Sequence, residues 1–578
     1  MGIKIDEISS RNELADLLGV PRNNISYLLY KIGIDNCYLS FFIPKRSGGV
    51  RTICSPNKQL KALQRSLLFV LNNHYYNEKG NRNPASFGFE RGKSFIQNAD
   101  SHKHKRFILN LDIEDFFGSF NFGRVRGFFI GNRCFGLNPT VATTIAQITC
   151  YNGVLPQGAP TSPAITNMIC QVLDYHLIKI ARKYKLHYTR YADDMTFSTN
   201  DKRFPEHANS ALQKIESEIK NAGFSINVSK TRLMYCSSQQ KVTGLVVNTP
   251  IINVDKNYYK ETRAMAHSLF STGEFTIRGE KGTVNQLEGR FSYIYQLIDY
   301  NVQQGRLKLD RDSARIETIR QFLFYKLFFS LRKPLLISEG NTDPIYIKAA
   351  LKNLYSAFPD LVKLEDGRYV YQLCFLKRNR RFKEIFGVSD RGADAIVSFY
   401  SKYCNMKEMS SQNGSLQMKG NKEKDYISLF HNHFHIPFSY PVILLFDNEV
   451  SNEKKPLGKF VNCLKLNKEA IADELKNKGY FKIHNDCNIY CVATPLVGEK
   501  TECEIEDLFD KETLEVKIKG KSFSRKPEPA GNESFGKEEF AKYIYSNSQS
   551  IDFSNFKELF NSILSVIEDF KNTNQNNS

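Results

Sequence analysis

The chain has 578 residues, too many for one ordinary core, and roughly two to four domains are expected. Hydrophobic content of 41% with 12% aromatics excludes a disordered protein, and no apolar run approaches the ~20 residues of a membrane span. A net charge of +19 favours a polyanionic partner, with nucleic acid first, and twelve scattered cysteines without framework spacing fit a reducing cytoplasm.

The chain opens on Met1-Gly-Ile-Lys-Ile-Asp6, which carries no secretory apolar segment. Ser10-Arg-Asn-Glu13 reads as a capping box, with Leu14, Leu17 and Leu18 at helical spacing behind it. Pro21 opens a second helix carrying Ile25, Leu28 and Leu29. Two short strands then meet at Ser47-Gly48-Gly49, with Lys45, Arg46 and Arg51 around the turn. Cations on a Gly-containing hairpin can grip a triphosphate, and a generic basic hairpin fits this stretch equally well.

Ile108–Asp112 reads as a short apolar strand followed directly by Glu114 and Asp115. Acids gathered beside so apolar a strand repel one another unless a cation or solvent relieves them. The loop Leu155-Pro-Gln-Gly-Ala-Pro-Thr-Ser-Pro163 allows close backbone approach at Gln157-Gly158 and is stiffened by its prolines. A helix with Ile165, Met168, Ile169 and Leu173 follows. His187–Ser198 then sets Asp193 and Asp194 between β-forming residues, as strand, turn and strand. Successive strand side chains point to opposite faces, so the two acids share a site only if a turn bends between them. Two such carboxylates and a third, Asp112, suit a pair of Mg²⁺ ions; alone, the turn also fits a solvated acidic hairpin. A helix with Leu212, Ile215 and Ile219, then Gly223 and Lys230, and a strand over Lys241–Asn248 complete the region.

In this order, the 43–53 hairpin, Asp112 with Phe117 five residues on, Gln157-Gly158, Tyr191-Ala-Asp-Asp194, Gly223 with Lys230 and the final strand resemble the reverse transcriptases. Asn98-Ala-Asp-Ser-His102 and Val242-Thr243-Gly244 are similar to two elements of the retron branch. The resemblance implies an α+β right-hand polymerase: fingers and palm over 1–250 and a helical, RNA-binding thumb over 251–332. It implies two Mg²⁺ ions on Asp112, Asp193 and Asp194, and phosphate contacts from Lys45 and Arg51. Phe117 would exclude a ribose 2′-OH, Gln157 and Gly158 would shape the template and nucleotide pocket, and Lys230 would donate a proton to pyrophosphate. Asn98, His102, Val242, Thr243 and Gly244 would bind RNA. The implied partners are deoxynucleoside triphosphates, a structured noncoding RNA and its RNA-linked single-stranded DNA. Tyr258, Tyr259, Tyr293, Tyr295 and Tyr300 stand among basic residues in the thumb section, a pattern that suits RNA and equally a plain helical bundle.

From Lys333-Pro334 the pattern changes. Leu335–Ser338 and Val442–Phe446 are continuous apolar strands, each ending in acids: Glu339 with Asp343, and Asp447 with Glu449. Such strands predict a mainly parallel sheet with ligands at its carboxyl ends, although helix caps also account for acids there. A further cluster, Glu502, Glu504, Glu506 and Asp507, follows. The spacing resembles the Toprim domain, with Glu449 departing from the usual Asp. This implies an α/β Toprim nuclease over 333–570, with one or two Mg²⁺ on Glu339, Asp447 and Glu449 as catalytic ligands and Lys537 as a supporting charge. The stretch 405–425 reads as an insertion and 571–578 as a disordered tail. His431-Asn-His433-Phe-His435 reads as a surface strand, and Cys487 with Cys491 lacks the second cysteine pair of a zinc site. Together the resemblances imply a cytoplasmic retron reverse transcriptase fused to an anti-phage nuclease acting on a nucleic-acid target, with a homo-oligomer formed around the RNA–DNA hybrid among its assemblies. A primase or nicking module, or a silent nucleic-acid-binding module, are the alternatives for the second half.

Overall fold

The computed structural model describes residues 4–576 apart from 46–47, 390–391, 393, 405–423, 465, 485–486 and 526–533. Arg46, Ser47 and nearly all of the 405–425 stretch therefore lie outside the described residues. Two compact units emerge, Met1–Tyr258 with Leu297–Leu307, and Tyr259–Gln296 with Lys308–Ser578. The division falls inside the section 251–332, not at residue 332.

In the first unit, Glu13 N–H donates to Ser10 Oγ at 3.3 Å and Ser10 N–H to Glu13 Oε2 at 3.3 Å, closing the expected capping box. Strands β1 (Tyr38–Pro44) and β2 (Val50–Pro56) form the basic hairpin. The main sheet is antiparallel, with β3 (Phe107–Glu114) at its centre. On one side β3 pairs with β5 (Asp194–Thr199), which pairs with β4 (His187–Tyr191). On the other it pairs with β6 (Ser225–Ile226) and β7 (Arg232–Tyr235). Helices Ser162–Lys183 and Phe204–Asn221 set Ile165, Leu173, Ile215 and Ile219 into one core with Leu109, Leu111, Met195 and Phe197 of the sheet.

The single strand expected over Lys241–Asn248 is instead a tight hairpin, β8 (Lys241–Val242) with β9 (Leu245–Val246). Thr243 (φ +45°) and Gly244 (φ +81°) form its turn. Positive φ at both central residues matches the twist of a two-residue hairpin, which the apolar run alone did not reveal.

Beneath the β4–β5 turn lies a buried ion pair. Arg190 donates to both Asp174 oxygens, Nε at 2.8 Å and Nη2 at 2.7 Å. Tyr188 Oη and Asn83 Nδ2 satisfy the same carboxylate at 2.7 Å each. Arg190 Nη1 reaches Asn167 Oδ1 and the Ala192 carbonyl, both at 3.2 Å. Burial works against the guanidinium charge, but Asp174 outweighs it and leaves the Arg190 pKa raised.

The second unit centres on a five-stranded sheet in the order Cys374–Phe375, Leu335–Ser338, Val442–Phe446, Ile489–Ala493, Tyr480–Lys482. The first four strands are parallel and the last is antiparallel. Leu335–Ser338, Val442–Phe446 and Ile489–Ala493 are buried at every residue, as their unbroken apolar runs require. Helices Asp343–Asn353, Lys537–Ser546 and Phe556–Asn576 contribute to a core with Ile443, Leu445, Tyr490 and Val492. Helix Ala314–Phe328 packs into the same unit, Phe324 lying 6.1 Å from Phe399 and 5.2 Å from Tyr426 between ring centres. The three histidines do not form a strand. Leu429–His433 continues the helical turn begun at Tyr426, because Phe430 packs into this aromatic cluster. The last helix runs to Asn576, into the tail expected to be disordered, carried by Leu559, Phe560, Ile563, Val566 and Phe570 on its buried face.

Replacing Asp174 with Ala leaves a buried guanidinium uncompensated, so the first unit should lose about 3–5 kcal/mol in urea unfolding. A loss under ~1 kcal/mol would show that the pair contributes little to stability.

Candidate active site

Two groups of carboxylates stand out, one in each unit. In the first, β3 and β5 place Asp112 directly opposite Asp194. Tyr191 pairs with Asp194 across the hairpin, so Ala192 and Asp193 form its two-residue turn, with Ala192 left-handed at φ +58°. The turn is fixed from both sides: Arg190 holds the Ala192 carbonyl, and Ile113 N–H donates to the Asp193 carbonyl at 3.1 Å. This bend is what lets neighbouring acids share a site.

Desolvation raises the Asp193 carboxyl above its ordinary value, and Asp112 adds to the shift. Asp194 is pushed up to about 7 by desolvation, then by the charges of Asp193 and Asp112. Its open face lets water temper that desolvation. Lys230 Nζ lies 2.8 Å from Asp112 Oδ1, and this hydrogen bond raises the lysine's own pKa. Arg51, exposed on β2, acts on Asp193 through its charge. Crowded hard oxygens whose repulsion a cation would relieve fit Mg²⁺. Among the described residues, no three His, Cys, Asp or Glu side chains make a preformed metal cage.

Around this group, Gln157 accepts from Cys54 N–H at 2.7 Å, joining its loop to β2. Gly158, at φ +117°, leaves no room for a side chain: a Cβ would stand 2.7 Å from the Cys54 carbonyl oxygen. Phe117 is half-buried beyond β3, its ring edge-on to Phe116 at 5.4 Å. Lys45 is exposed beside the hairpin turn, whereas Glu114 and Asp115 face solvent away from the buried strand.

The retron-like residues sit differently from the expected RNA contacts. His102 is fully buried, with Nδ1 2.7 Å from Ser198 Oγ and Nε2 2.7 Å from Thr189 Oγ1, so it ties β4 to β5. Asn98 and Val242 are also buried, and Thr243 Oγ1 donates to the Phe95 carbonyl at 3.0 Å. Direct RNA contact through Asn98, His102 or Val242 is at odds with this burial; Gly244 is exposed and Thr243 partly so.

In the second unit, neighbouring parallel strands end at Glu339 and Asp447. Asp447 N–H donates to Glu339 Oε1 at 3.3 Å, and Asp447 Oδ1 accepts from Ile505 N–H at 3.1 Å. Gly340 N–H donates to Asp343 Oδ2 at 2.7 Å, and a Cβ on Gly340 would stand 2.4 Å from that carboxylate. Burial pushes both carboxyls upward; the charges of Asp343 and Glu449 add to the shift of Glu339, and those of Glu339 and Asp343 to the shift of Asp447. Asp343 and Glu506 are raised by burial as well. Cations ring this centre. Arg378 donates to the Ser338 carbonyl at 2.9 Å and to that of Glu339. Lys455 pairs with Glu449 at 2.6 Å, and Lys537 with Glu506 at 3.0 Å. Asp507 points elsewhere, held at about 2 against burial by Arg525 and Lys500.

Asp174, Arg190, Asn167 and Arg378 lay outside the sequence-based site, and Glu506 belongs to the acidic cluster at 502–507. A signal existed for Arg190, since a cation flanked by β-forming residues in a strand buried on both faces needs a partner. Nothing local pointed to Asp174 as that partner.

A reverse transcriptase (RNA-dependent DNA polymerase) family model matches residues 43–248. The chain is 38% identical over 286 residues to the retron Ec86 reverse transcriptase of Escherichia coli, covering 49% of this chain and 84% of that protein. It is 32% identical over 323 residues to the retron Mx162 reverse transcriptase of Myxococcus xanthus, covering 50% of this chain and 64% of that protein.

Burial, with a smaller push from His187, holds the His102 pKa well below 6.5. The unfolded chain takes up this proton below pH 6.5 and the folded chain does not. The histidine's contribution is therefore complete above 6.5 and lost as pH falls toward the folded pKa. His102→Gln should flatten the fall in unfolding free energy between about pH 6.5 and 5 by up to ~1.4 kcal/mol per pH unit. Equal slopes in the two proteins would rule out a neutral, buried His102.

Proposed function

We propose, from the premise that this chain belongs to the retron reverse transcriptase family and is an RNA-directed DNA polymerase, that it copies its own structured noncoding RNA into a branched, RNA-linked single-stranded DNA. The observation carrying this reading is Asp112 set opposite Asp194 with Asp193 at the adjoining turn. Asp112, Asp193 and Asp194 would hold two Mg²⁺ ions, whose chemistry is activation of a terminal hydroxyl and stabilisation of departing pyrophosphate. Lys230 presents an ammonium at the same carboxylates and is the candidate proton donor. Arg51 and Lys45 supply positive charge on the β1–β2 hairpin for a nucleoside triphosphate. Phe117 is the candidate ring that rejects a ribose 2′-OH. The Gln157–Gly158 backbone, docked on β2, borders the nucleotide pocket.

For the second unit the reading is a Toprim-type, Mg²⁺-dependent nuclease acting in anti-phage defence, restrained by the chain's own RNA–DNA hybrid in the cytoplasm. It is supported by Glu339 and Asp447 at the ends of adjacent parallel strands, where ligands of such sheets gather. Their upward shifts fit a divalent cation, as do the hard oxygens of Glu449. Pure nucleic-acid binding would need cations rather than buried acids, which disfavours a silent module.

Glu339→Ala and Asp447→Ala should each abolish host toxicity and phage protection while leaving the RNA-linked DNA at wild-type abundance. Protection that survives both substitutions, with the DNA intact, would refute the effector assignment.

A further inference from the structure

Helix Asp343–Asn353 begins in the acid centre of the second unit and carries Lys348 and Lys352 one turn apart. A rise of 1.5 Å per residue separates them by ~6 Å along the axis, and the i,i+4 spacing keeps them on one face. Each ammonium lies over aromatic rings. Lys348 Nζ is 4.6 Å from the Phe375 ring centre and 6.0 Å from that of Tyr371. Lys352 Nζ is 5.5 Å from Tyr545 and 6.0 Å from Tyr369. Tyr355 extends the ring cluster, 5.7 Å from Tyr369. Lys377 is exposed at the end of the edge strand, beside Arg378, which grips the Glu339 carbonyl.

Among the described residues, Lys348, Lys352 and Lys377 have no ion pair with a carboxylate. Burial and then the neighbouring Lys377 lower the Lys348 pKa, so two ammonium groups repel without an acid to relieve them. Lys348 and Lys352 are only partly buried, so their ammonium groups stay within reach of a ligand. Here the rings stand in for the missing anion, and a phosphate would serve both lysines better.

We propose that the face formed by Lys348, Lys352, Lys377, Tyr369, Tyr371 and Tyr545 binds single-stranded nucleic acid and leads it to the Glu339–Asp447 centre. On binding, phosphates draw the ammonium groups off the rings, and the freed ring faces take unpaired bases. A duplex, whose bases are already stacked on one another, gains only the phosphate contacts. The direction of travel rests on reading the acid centre as a nuclease; the binding face does not.

The test is lysine acetylation of the full chain followed by peptide mass spectrometry, with oligo(U), oligo(dT) or a matched duplex of about 12 nucleotides. Both single strands should slow modification of Lys348, Lys352 and Lys377, and the more protective one identifies RNA or DNA as the preferred target. Lys348→Gln with Lys352→Gln should weaken protection of Lys377 about tenfold, Tyr545→Leu should weaken it less, and DNA synthesis on an RNA template should be unchanged. Unprotected lysines, or equal protection by the duplex, would overturn the proposal. Protection without strand cleavage would uphold the face while counting against the nuclease reading.

Discussion

The carboxylate turn of the first unit, where the polymerase site is proposed, depends on one buried ion pair. Removing the Arg190 and Asp174 charges from water costs several kcal/mol per ion, and their attraction offsets this only because the geometry is bidentate and the remaining hydrogen bonds are made. Tyr188 makes one from β4, Asn83 one from the loop before helix Phe95–Ser101, and Asn167 one from helix Ser162–Lys183. The return for this expense is positional. Arg190 also holds the Ala192 carbonyl, so the left-handed turn that brings Asp193 beside Asp194 is tied to the core. A hydrophobic pair could fill the same volume but could not hold that carbonyl.

The two carboxylate centres handle like-charge repulsion differently. Near Asp112, the charge is met by Lys230, a half-exposed lysine. Around Glu339 and Asp447, the cations stand at the margin, on Glu449, Glu506 and the strand-end carbonyls, and the central pair stays protonation-prone. A polymerase needs repeated exchange of substrate and product, which suits the open arrangement.

Much of this was legible in the sequence, for identifiable reasons. The capping box at Ser10, the hairpin around Gly48, the helices after Pro163 and the buried parallel strands at Leu335 and Val442 are local patterns, and the fold follows them. Asp112, Asp193 and Asp194 could be gathered because their strand and turn signals are strong. What escaped was set by distant partners. Asp174 looks like any polar helix residue until Arg190 meets it, and His102 looks like a loop histidine until Thr189 and Ser198 enclose it. The histidine run at 431–435 misled because Phe430 packing decides its conformation, which alternation along a strand cannot reveal.

The most direct measurement is deoxynucleotide incorporation on a primed RNA template by Asp193→Asn, compared with wild type at matched folding by circular dichroism. The substitution keeps the turn and its size while removing one negative charge from the group that Arg190 positions. Loss of incorporation to background is the predicted result. Synthesis near the wild-type rate would contradict the assignment of the Asp112, Asp193 and Asp194 group as the polymerase centre.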